Sequence, residues 1–160
     1  AALFGTVLFL PNAHAEEIRW RQIVGILAPA GLVGSGDGQV TGAPGPWSAH
    51  RGSVFVDLAT GELRFRARVL VLAAGNSIGT AGPVSSVVGT LVCDTDGSAG
   101  EGSSVLVDSP AVPLSPDGDA AFSGFLEELP EVCGSEPDIA FLIRAAASGV
   151  WIGNGAGRRS

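Results

Sequence analysis

Three arginines alternate with apolar residues between Glu62 and Leu72, and they form the most regular polar feature of the sequence. In a strand of period two, Arg64, Arg66 and Arg68 point to one face, with guanidinium groups about 7 Å apart. Such a row suits an anionic polymer or the acidic surface of a protein partner. The arginines could equally form ion pairs with Glu62 and with acids on neighbouring strands. They could also prevent an edge strand from pairing with another chain and aggregating. The structural roles are favoured, with partner binding as the alternative.

A second group of polar residues follows the apolar run Val87 to Val92. Asp94-Thr95-Asp96-Gly97, with Glu101 a little later, resembles a fragment of a calcium loop, because alternate carboxylates on a tight turn can converge on a hard cation. The glycine comes too early for an EF-hand, and Asp-Gly pairs are common in ordinary β-turns. The sequence therefore predicts a plain turn, with no metal and no cofactor. Asp94, Asp96 and Glu101 are the alternative metal ligands.

After residue 15 the only histidine is His50, and any Ser-His-Asp hydrolase would have to use it. Paired carboxylates can hydrolyse glycosides, but a solvated loop is the simpler interpretation of the acidic stretch around Cys133. Its members are Glu127, Glu128, Glu131, Glu136 and Asp138. The sequence predicts no catalytic residue.

The first fifteen residues have the pattern of the last two-thirds of a signal peptide. An apolar run from Ala1 to Leu10 is followed by Pro11 and by the small-x-small ending Ala13-His14-Ala15. A basic front end and an initiating Met are missing, so we expect the sequence to begin inside its open reading frame. Residues 1–15 are therefore predicted to be a signal peptide, and 16–160 a single exported domain. A buried strand or short helix is the alternative for the apolar run.

Cys93 and Cys133 are the two cysteines of the sequence. In an oxidising compartment outside the cytoplasm, two cysteines most simply form a disulfide. The bond would close a loop of 40 residues and, by restricting the unfolded chain, stabilise the fold by about 4 kcal/mol. Two free buried thiols or a nucleophilic cysteine are the alternatives.

The composition predicts one all-β domain. A hydrophobic fraction of 46% is ample for a core in a chain of 160 residues. Glycines (24) and prolines (10) separate short apolar runs, with no convincing amphipathic helix between them. The clearest element is a β-hairpin over Ser53 to Leu72, and Gly31 to Pro46 is predicted to be a long connection. We expect about eight strands in an antiparallel β-sandwich, with a closed β-barrel as the alternative.

The net charge of the chain disfavours two classes of binding partner. A formal charge of −7 disfavours nucleic acid and anionic membrane surfaces, because phosphate binding needs clustered cations. No segment reaches the roughly 20 apolar residues of a transmembrane helix. The partner that remains is a protein or a cell-surface polymer.

The hairpin region is similar to a known family. Gly52 to Gly75, GSVFVDLATGELRFRARVLVLAAG, resembles the strand-turn-strand of secreted β-domains of the chordin-repeat (CHRD) kind. Such domains usually continue into a histidine-containing segment, which Ala73 to Pro83 lacks. Val88 to Cys93, Ala140 to Arg144 and Trp151 to Gly155 look like parts of uncharacterised exported bacterial proteins. These resemblances imply a secreted bacterial β-domain and assign no catalytic residue.

The predicted function is that of an exported, acidic, non-enzymatic binding or structural β-domain. One alternative is a small extracytoplasmic hydrolase with a site around His50 and carboxylates. A second is a surface self-assembly module, which would use an unpaired edge strand or an N-terminal segment that docks into a neighbour.

Overall fold

The computed structural model describes residues 17–27, 31–99, 102–127, 129–135 and 138–159. The predicted signal peptide, residues 1–15, lies outside the described residues. Within them the strands and the one α-helix, in chain order, are β1 (Glu17–Gly25), β2 (Leu32–Val33), β3 (Val40–Thr41), β4 (Trp47–Ser48), β5 (Arg51–Asp57), β6 (Glu62–Arg68), β7 (Val71–Leu72), β8 (Ser86–Cys93), β9 (Val105–Asp108), β10 (Val112–Pro113), β11 (Ala120–Phe125), α1 (Glu131–Ser135), β12 (Ile139–Ala145) and β13 (Trp151–Arg159).

Nine of the described strands form one antiparallel sheet. Its order from one edge to the other is β10, β8, β12, β13, β1, β5, β6 and β11, and β9 also pairs with β8. Two small pairs, β2–β3 and β4–β7, lie outside this sheet. The sheet is curled into a half-barrel. The predicted all-β antiparallel class is confirmed, and the single curled sheet is intermediate between a sandwich and a closed barrel.

The predicted hairpin forms from β5 and β6, with Val54 opposite Phe65. Its period of two places apolar residues on the inner face and charged residues on the outer face. At the turn, the Asp57 carboxylate accepts the Ala59 N–H at 2.9 Å. Gly61 supplies the left-handed conformation, with φ of 83°, that closes the turn. Local turn chemistry thus sets the register of the strands.

The sequence predicted that the second strand of the hairpin would extend to Leu72. In the structure this strand ends at Arg68. Val69 takes φ of 57° and turns the chain out of the strand. Its N–H donates to Asp119 Oδ1 at 3.0 Å, which holds this turn. After the turn, Val71–Leu72 forms the short strand β7, which pairs with β4. The hydrogen bond from Val69 to Asp119, which is distant in sequence, therefore ends the strand even though the alternation of apolar and polar residues continues.

The inner face of the half-barrel is filled by aromatic side chains. The ring centroid of Phe141 lies 5.4 Å from that of Phe65 and 6.0 Å from that of Trp20. Gly89 makes this close approach possible, because a Cβ atom there would lie 2.6 Å from the Phe65 ring. Phe65 and Phe141 are 3% exposed or less. The core thus joins β1, β6, β8 and β12 across the curled sheet.

The outer face of the sheet is divided into two halves. On the covered half, formed by β8 and β12, the outward-pointing Thr90, Val92 and Leu142 are at most 1% exposed. On the open half, formed by β1, β5, β6 and β11, outward-pointing side chains such as Arg64 and Arg66 are exposed to solvent. The two halves of one sheet therefore meet different surroundings.

Residues 31–43, in the predicted long connection, form a layer over the covered half. A Cβ atom on Gly34 would lie 3.3 Å from Val92 Cγ1. At the other end of the layer, the Trp151 indole N–H donates to the Gly31 carbonyl at 2.9 Å. Because this segment is rich in glycine, its backbone approaches the sheet closely. It shields apolar side chains that would otherwise face water.

The predicted disulfide between Cys93 and Cys133 is confirmed. Cys93 ends β8 and Cys133 lies in α1, and both are fully buried. Their Cα atoms are 5.1 Å apart. The bond fastens the short helix to the covered half of the sheet. No helix in the described ranges is long and apolar enough to cross a membrane.

Candidate functional site

Arginines from three strands line a cleft on the open half of the sheet. Arg19 and Arg21 come from β1, Arg64 and Arg66 from β6, and Arg159 from β13. These five residues, which we call the arginine face, are more than half of the nine arginines of the chain. The cleft has a volume of about 540 Å³, which is within the range of ligand-binding pockets.

One row of paired residues crosses the arginine face. Arg159 lies opposite Arg19, Arg19 opposite Phe55, and Phe55 opposite Arg64. Directly paired residues in an antiparallel sheet point to the same side. The guanidinium carbons of Arg19 and Arg64 lie 4.6 and 4.5 Å from the centroid of the Phe55 ring. Cation–π attraction to one shared ring thus holds both cations in the cleft.

Arg66 is central to the next row. It lies opposite Ser53 on β5 and Ala121 on β11. These small neighbours leave its side chain exposed. Its guanidinium group has no hydrogen bond or ion pair with any residue that the structure describes. Arg66 is therefore available to an anionic ligand, as are the exposed Arg21 and Arg159 of the same face.

Acidic residues border the arginine face on one side. Glu17, Asp57 and Glu62 form the adjacent cross-strand row on the same surface. Arg64 Nε lies 3.3 Å from Glu62 Oε2, and both side chains are partly exposed. An exposed pair of this kind contributes little to stability. The acids reduce the positive charge at this border, so the charge is concentrated toward Arg66.

The predicted row of three arginines is divided by the fold. Arg64 and Arg66 line the cleft, whereas Arg68 lies outside it. Arg68 Nε is 3.8 Å from Asp119 Oδ1. Because β6 pairs with β5 on one side and β11 on the other, its arginines do not blunt a sheet edge. The row instead faces the open surface of an internal strand.

The arrangement of the arginine face carries an electrostatic cost. Arg19 and Arg159 lie directly opposite each other on adjacent strands. Like charges in this position repel and destabilise the pairing. An anion bound between them would remove the repulsion. The face is thus better suited to a bound anion than to solvent alone.

The predicted metal ligands lie elsewhere, at the end of β8. Asp94 and Asp96 are on the turn that follows Cys93, and the fold brings Asp138 beside them. Glu101, the third ligand considered from the sequence, lies outside the described residues. Asp138 was assigned in the sequence only to a solvated acidic loop.

His50 lies in the exposed segment between β4 and β5. Its backbone N–H donates to the Arg68 carbonyl at 3.0 Å. Its imidazole has no hydrogen bond to a serine or an aspartate within the described ranges. Of the acidic stretch, Glu127 and Glu131 are exposed, and Glu128 and Glu136 lie outside the described residues. The structure thus adds no observation in favour of the hydrolase alternative.

Sequence reasoning missed three members of the arginine face. Arg19 and Arg21 flank Trp20 near the start of the described chain, and Arg159 is at its end. The alternation Arg19-Trp20-Arg21 was a usable signal, since it places both arginines on the side opposite a large apolar residue. Nothing local indicated that β1 would lie between β5 and β13.

Comparisons of the chain with protein-family models, with curated proteins and with solved structures found no match. The chordin-repeat resemblance of the hairpin stays an expectation.

Proposed function

We propose that this chain is an exported, non-enzymatic binding domain whose arginine face binds an anionic cell-surface polymer. The observation that carries the proposal is the concentration of five arginines around one cleft in a chain of net charge −7. In such a protein an anion is repelled by most of the surface, so a local cluster of cations directs it to one place.

The chemistry of the cleft favours carboxylate, sulfate or phosphate groups. Guanidinium groups bind these anions through two parallel hydrogen bonds and keep their charge at any physiological pH. Arg66 has no acidic partner in the part of the chain that is described. Arg19 and Arg64 are already oriented by Phe55, which lowers the entropy lost on binding.

The extent of the cleft favours a polymer over a small anion. Its lining residues come from five adjacent strands, from β13 at one side to β11 at the other. Four strand spacings correspond to about 19 Å. A single phosphate or sulfate contacts two or three guanidinium groups at most, whereas a chain with repeated charges can contact the whole face.

The predicted signal peptide and the disulfide support a location outside the cytoplasm. Disulfides form and persist in oxidising compartments and are rare in the cytosol. A domain in that location meets acidic polysaccharides and other charged polymers of cell surfaces. Compartment and charge pattern thus favour the same class of ligand.

Calorimetric titration with defined oligomers tests the proposal. The probes are a heparin-derived octasaccharide and a galacturonate octamer, with a neutral dextran oligomer as control. We expect binding of at least one charged oligomer, weakened by added salt because salt screens exposed charges over about 8 to 10 Å. Equal binding of dextran, or no binding of either charged oligomer at low salt, would contradict the proposal.

Two arginines of one strand provide a matched pair of variants. We expect Arg66→Gln to lower the affinity for the bound oligomer about tenfold, which corresponds to about 1.4 kcal/mol. Arg68→Gln removes the same charge from the same strand, but outside the cleft and beside Asp119. We expect that variant to lower the affinity less than about twofold. Equal losses in the two variants would show that only net charge matters.

The self-assembly alternative has its own supporting observation. β11 is at one edge of the sheet, and the Phe125 side chain at its end is 68% exposed. An exposed edge strand can pair with a second chain. Light scattering over a range of protein concentrations tests this alternative: a concentration-dependent dimer that Phe125→Ser abolishes would support it, and a monomer throughout would exclude it.

A further inference from the structure

The turn after β8 gathers three carboxylates at one point. Asp94 and Asp96 lie on the turn, and Asp138 precedes β12. One carboxylate oxygen from each residue lies within 4.8 Å of the other two. Asp94 takes φ of 60°, a conformation that aspartate tolerates better than most residues. The fold therefore holds three negative charges together on the covered half, far along the sheet order from the arginine face.

Hydrogen bonds from neutral donors hold these carboxylates in place. Asp94 Oδ2 accepts the Ala99 N–H at 3.0 Å, and Asp96 Oδ1 accepts the Ser98 N–H at 3.0 Å. Asp138 Oδ2 accepts the Asp96 N–H at 3.1 Å. These backbone donors orient the carboxylates but do not neutralise their charge. The turn is thus ordered without a cationic side chain from the described residues on these oxygens.

A second hydrogen-bond network fixes the turn to its surroundings. The Thr95 hydroxyl donates to Asp138 Oδ1, and the Thr95 N–H donates to the Asp138 carbonyl at 3.2 Å. The Ser104 hydroxyl donates to the Asp94 carbonyl at 2.7 Å. Cys93, the residue before the turn, is bonded to Cys133. The three carboxylates are therefore set on a rigid base, as a metal site requires.

One oxygen of the cluster is buried and unpartnered. Asp94 is 1% exposed, and its Oδ1 atom has no hydrogen-bond donor among the described residues. A buried carboxylate oxygen without a donor is costly, because it has lost its water and gained nothing in return. A cation bound between the three carboxylates would supply the missing partner. This atom is an observation independent of the clustering of acids.

One side of the cluster is accessible to solvent. Asp96 is exposed and Asp138 is partly buried, so the cluster opens to solvent on one side. Water can therefore complete the coordination of a bound ion.

We propose that Asp94, Asp96 and Asp138 bind one Ca²⁺ ion. The ligands are all oxygen atoms, which excludes the softer metals that prefer histidine or cysteine. Ca²⁺ accepts irregular arrangements of carboxylates and water, whereas Mg²⁺ requires near-octahedral geometry. In this proposal Asp138, and not the third alternating position of the loop, completes the site. It is independent of the proposed polymer binding.

Calorimetric titration of the full chain, first stripped of metal with a chelator, tests the site. We expect one Ca²⁺ per chain with a dissociation constant at or below the millimolar range of extracellular calcium modules. Saturating CaCl₂ should raise the unfolding temperature by several degrees, and MgCl₂ by less. No binding heat and no shift with about 10 mM CaCl₂, roughly ten times the weakest expected constant, would overturn the proposal.

Two aspartates that both precede glycine form the matched control. Asp96→Asn removes an exposed ligand and should weaken Ca²⁺ binding at least tenfold. Asp117→Asn alters an exposed Asp-Gly turn outside the cluster and should leave Ca²⁺ binding unchanged. Equal weakening in both variants would overturn the site, because it would show general attraction to an acidic protein.

Asp94→Asn separates metal binding from a merely structural role. If the cluster binds Ca²⁺, the metal-free variant is at least as stable as the metal-free wild type, since one of three repelling charges is gone, and it no longer responds to CaCl₂. If Asp94 only holds the turn, the variant loses stability equally with and without CaCl₂, and the proposal fails. Oligomer binding at the arginine face should be unaffected by this variant, so the two proposals fail separately.

Discussion

The covered and open halves belong to one antiparallel sheet but differ in what their outer faces contact. On the covered half, Val92 and Leu142 point outward and are buried, and Val92 lies against residues 31–43. On the open half, Arg64 and Arg66 point outward into solvent. A strand that is apolar on both faces needs a second layer, whereas an alternating strand does not. The side chains of each half thus indicate whether it must be covered.

The two halves also differ in whether their residues contribute mainly to stability or to binding. The covered half contains the disulfide, the glycine-rich layer and the three carboxylates at the end of β8. The open half contains repelling arginines that add little to stability. We therefore expect substitutions on the covered half to change the free energy of unfolding. Substitutions on the open half should mainly change binding.

The largest effect is expected from loss of the disulfide on the covered half. The double variant Cys93→Ala/Cys133→Ala should lower the free energy of unfolding by about 4 kcal/mol, because the unfolded chain regains the freedom of a closed loop. Urea denaturation of the variant measures this loss. Reduction of the wild type should give a similar loss, and a change below about 1 kcal/mol in both would contradict the importance of the bond.

The next effect concerns the layer over the covered half. A Cβ atom on Gly38 would lie 2.0 Å from the Ser104 carbonyl oxygen, so the backbone must shift to admit it. We expect Gly38→Ala to lower the free energy of unfolding by about 2 to 3 kcal/mol.

Gly45 provides the control in the same connection, because a Cβ atom there meets nothing within 4 Å. Gly45→Ala should change the free energy of unfolding, measured by urea denaturation, by no more than about 0.5 kcal/mol. Similar effects of the two variants would show that the layer does not pack closely on the sheet.

A smaller effect is expected at the aromatic centre of the open half. In a double-mutant cycle, Phe55→Leu and Arg19→Gln should show a coupling energy of about 0.5 to 1 kcal/mol, because the guanidinium group lies over the ring. The same cycle with Arg66, which makes no such contact with Phe55 in the described structure, should show coupling near zero. Equal coupling in both cycles would indicate general charge effects instead of contact with the ring.

The smallest effect has the opposite sign. Arg159→Gln removes one of two arginines that face each other across β1 and β13. We expect the free energy of unfolding to rise by about 0.3 to 0.5 kcal/mol at low salt. The gain should disappear at high salt, while affinity for the charged oligomer falls at any salt concentration that permits binding. A loss of stability would mean that Arg159 is a structural residue.

Much of the fold and part of the candidate site were accessible from the sequence. The alternation through β5 and β6 predicted the hairpin and the shared face of Arg64 and Arg66, because both follow from the period of a strand. The sequence predicted that β6 would continue to Leu72, whereas the strand ends at Arg68. The left-handed turn at Val69 depends on Asp119, which local propensity does not register.

The two candidate sites were accessible to different degrees. The sequence analysis interpreted Asp94 and Asp96 as part of a turn. It interpreted Asp138 as part of a solvated loop. Their meeting depends on the pairing of β8 with β12. The sequence also assigned no ligand role to Arg19 or Arg159, because cross-strand neighbours far apart in the chain leave no local pattern.

The sequence by itself determined the all-β class, the hairpin and the pairing of Cys93 with Cys133, because strand period, turn residues and cysteine count are local or compositional properties. Only the tertiary structure decided that residues 31–43 cover the half of the sheet that contains Val92. It also decided which arginines share the face with Arg66 and which acid joins Asp94. The physical reason is that these contacts join strands whose order in the sheet is set by burial of the whole core, so no single segment of the sequence contains them.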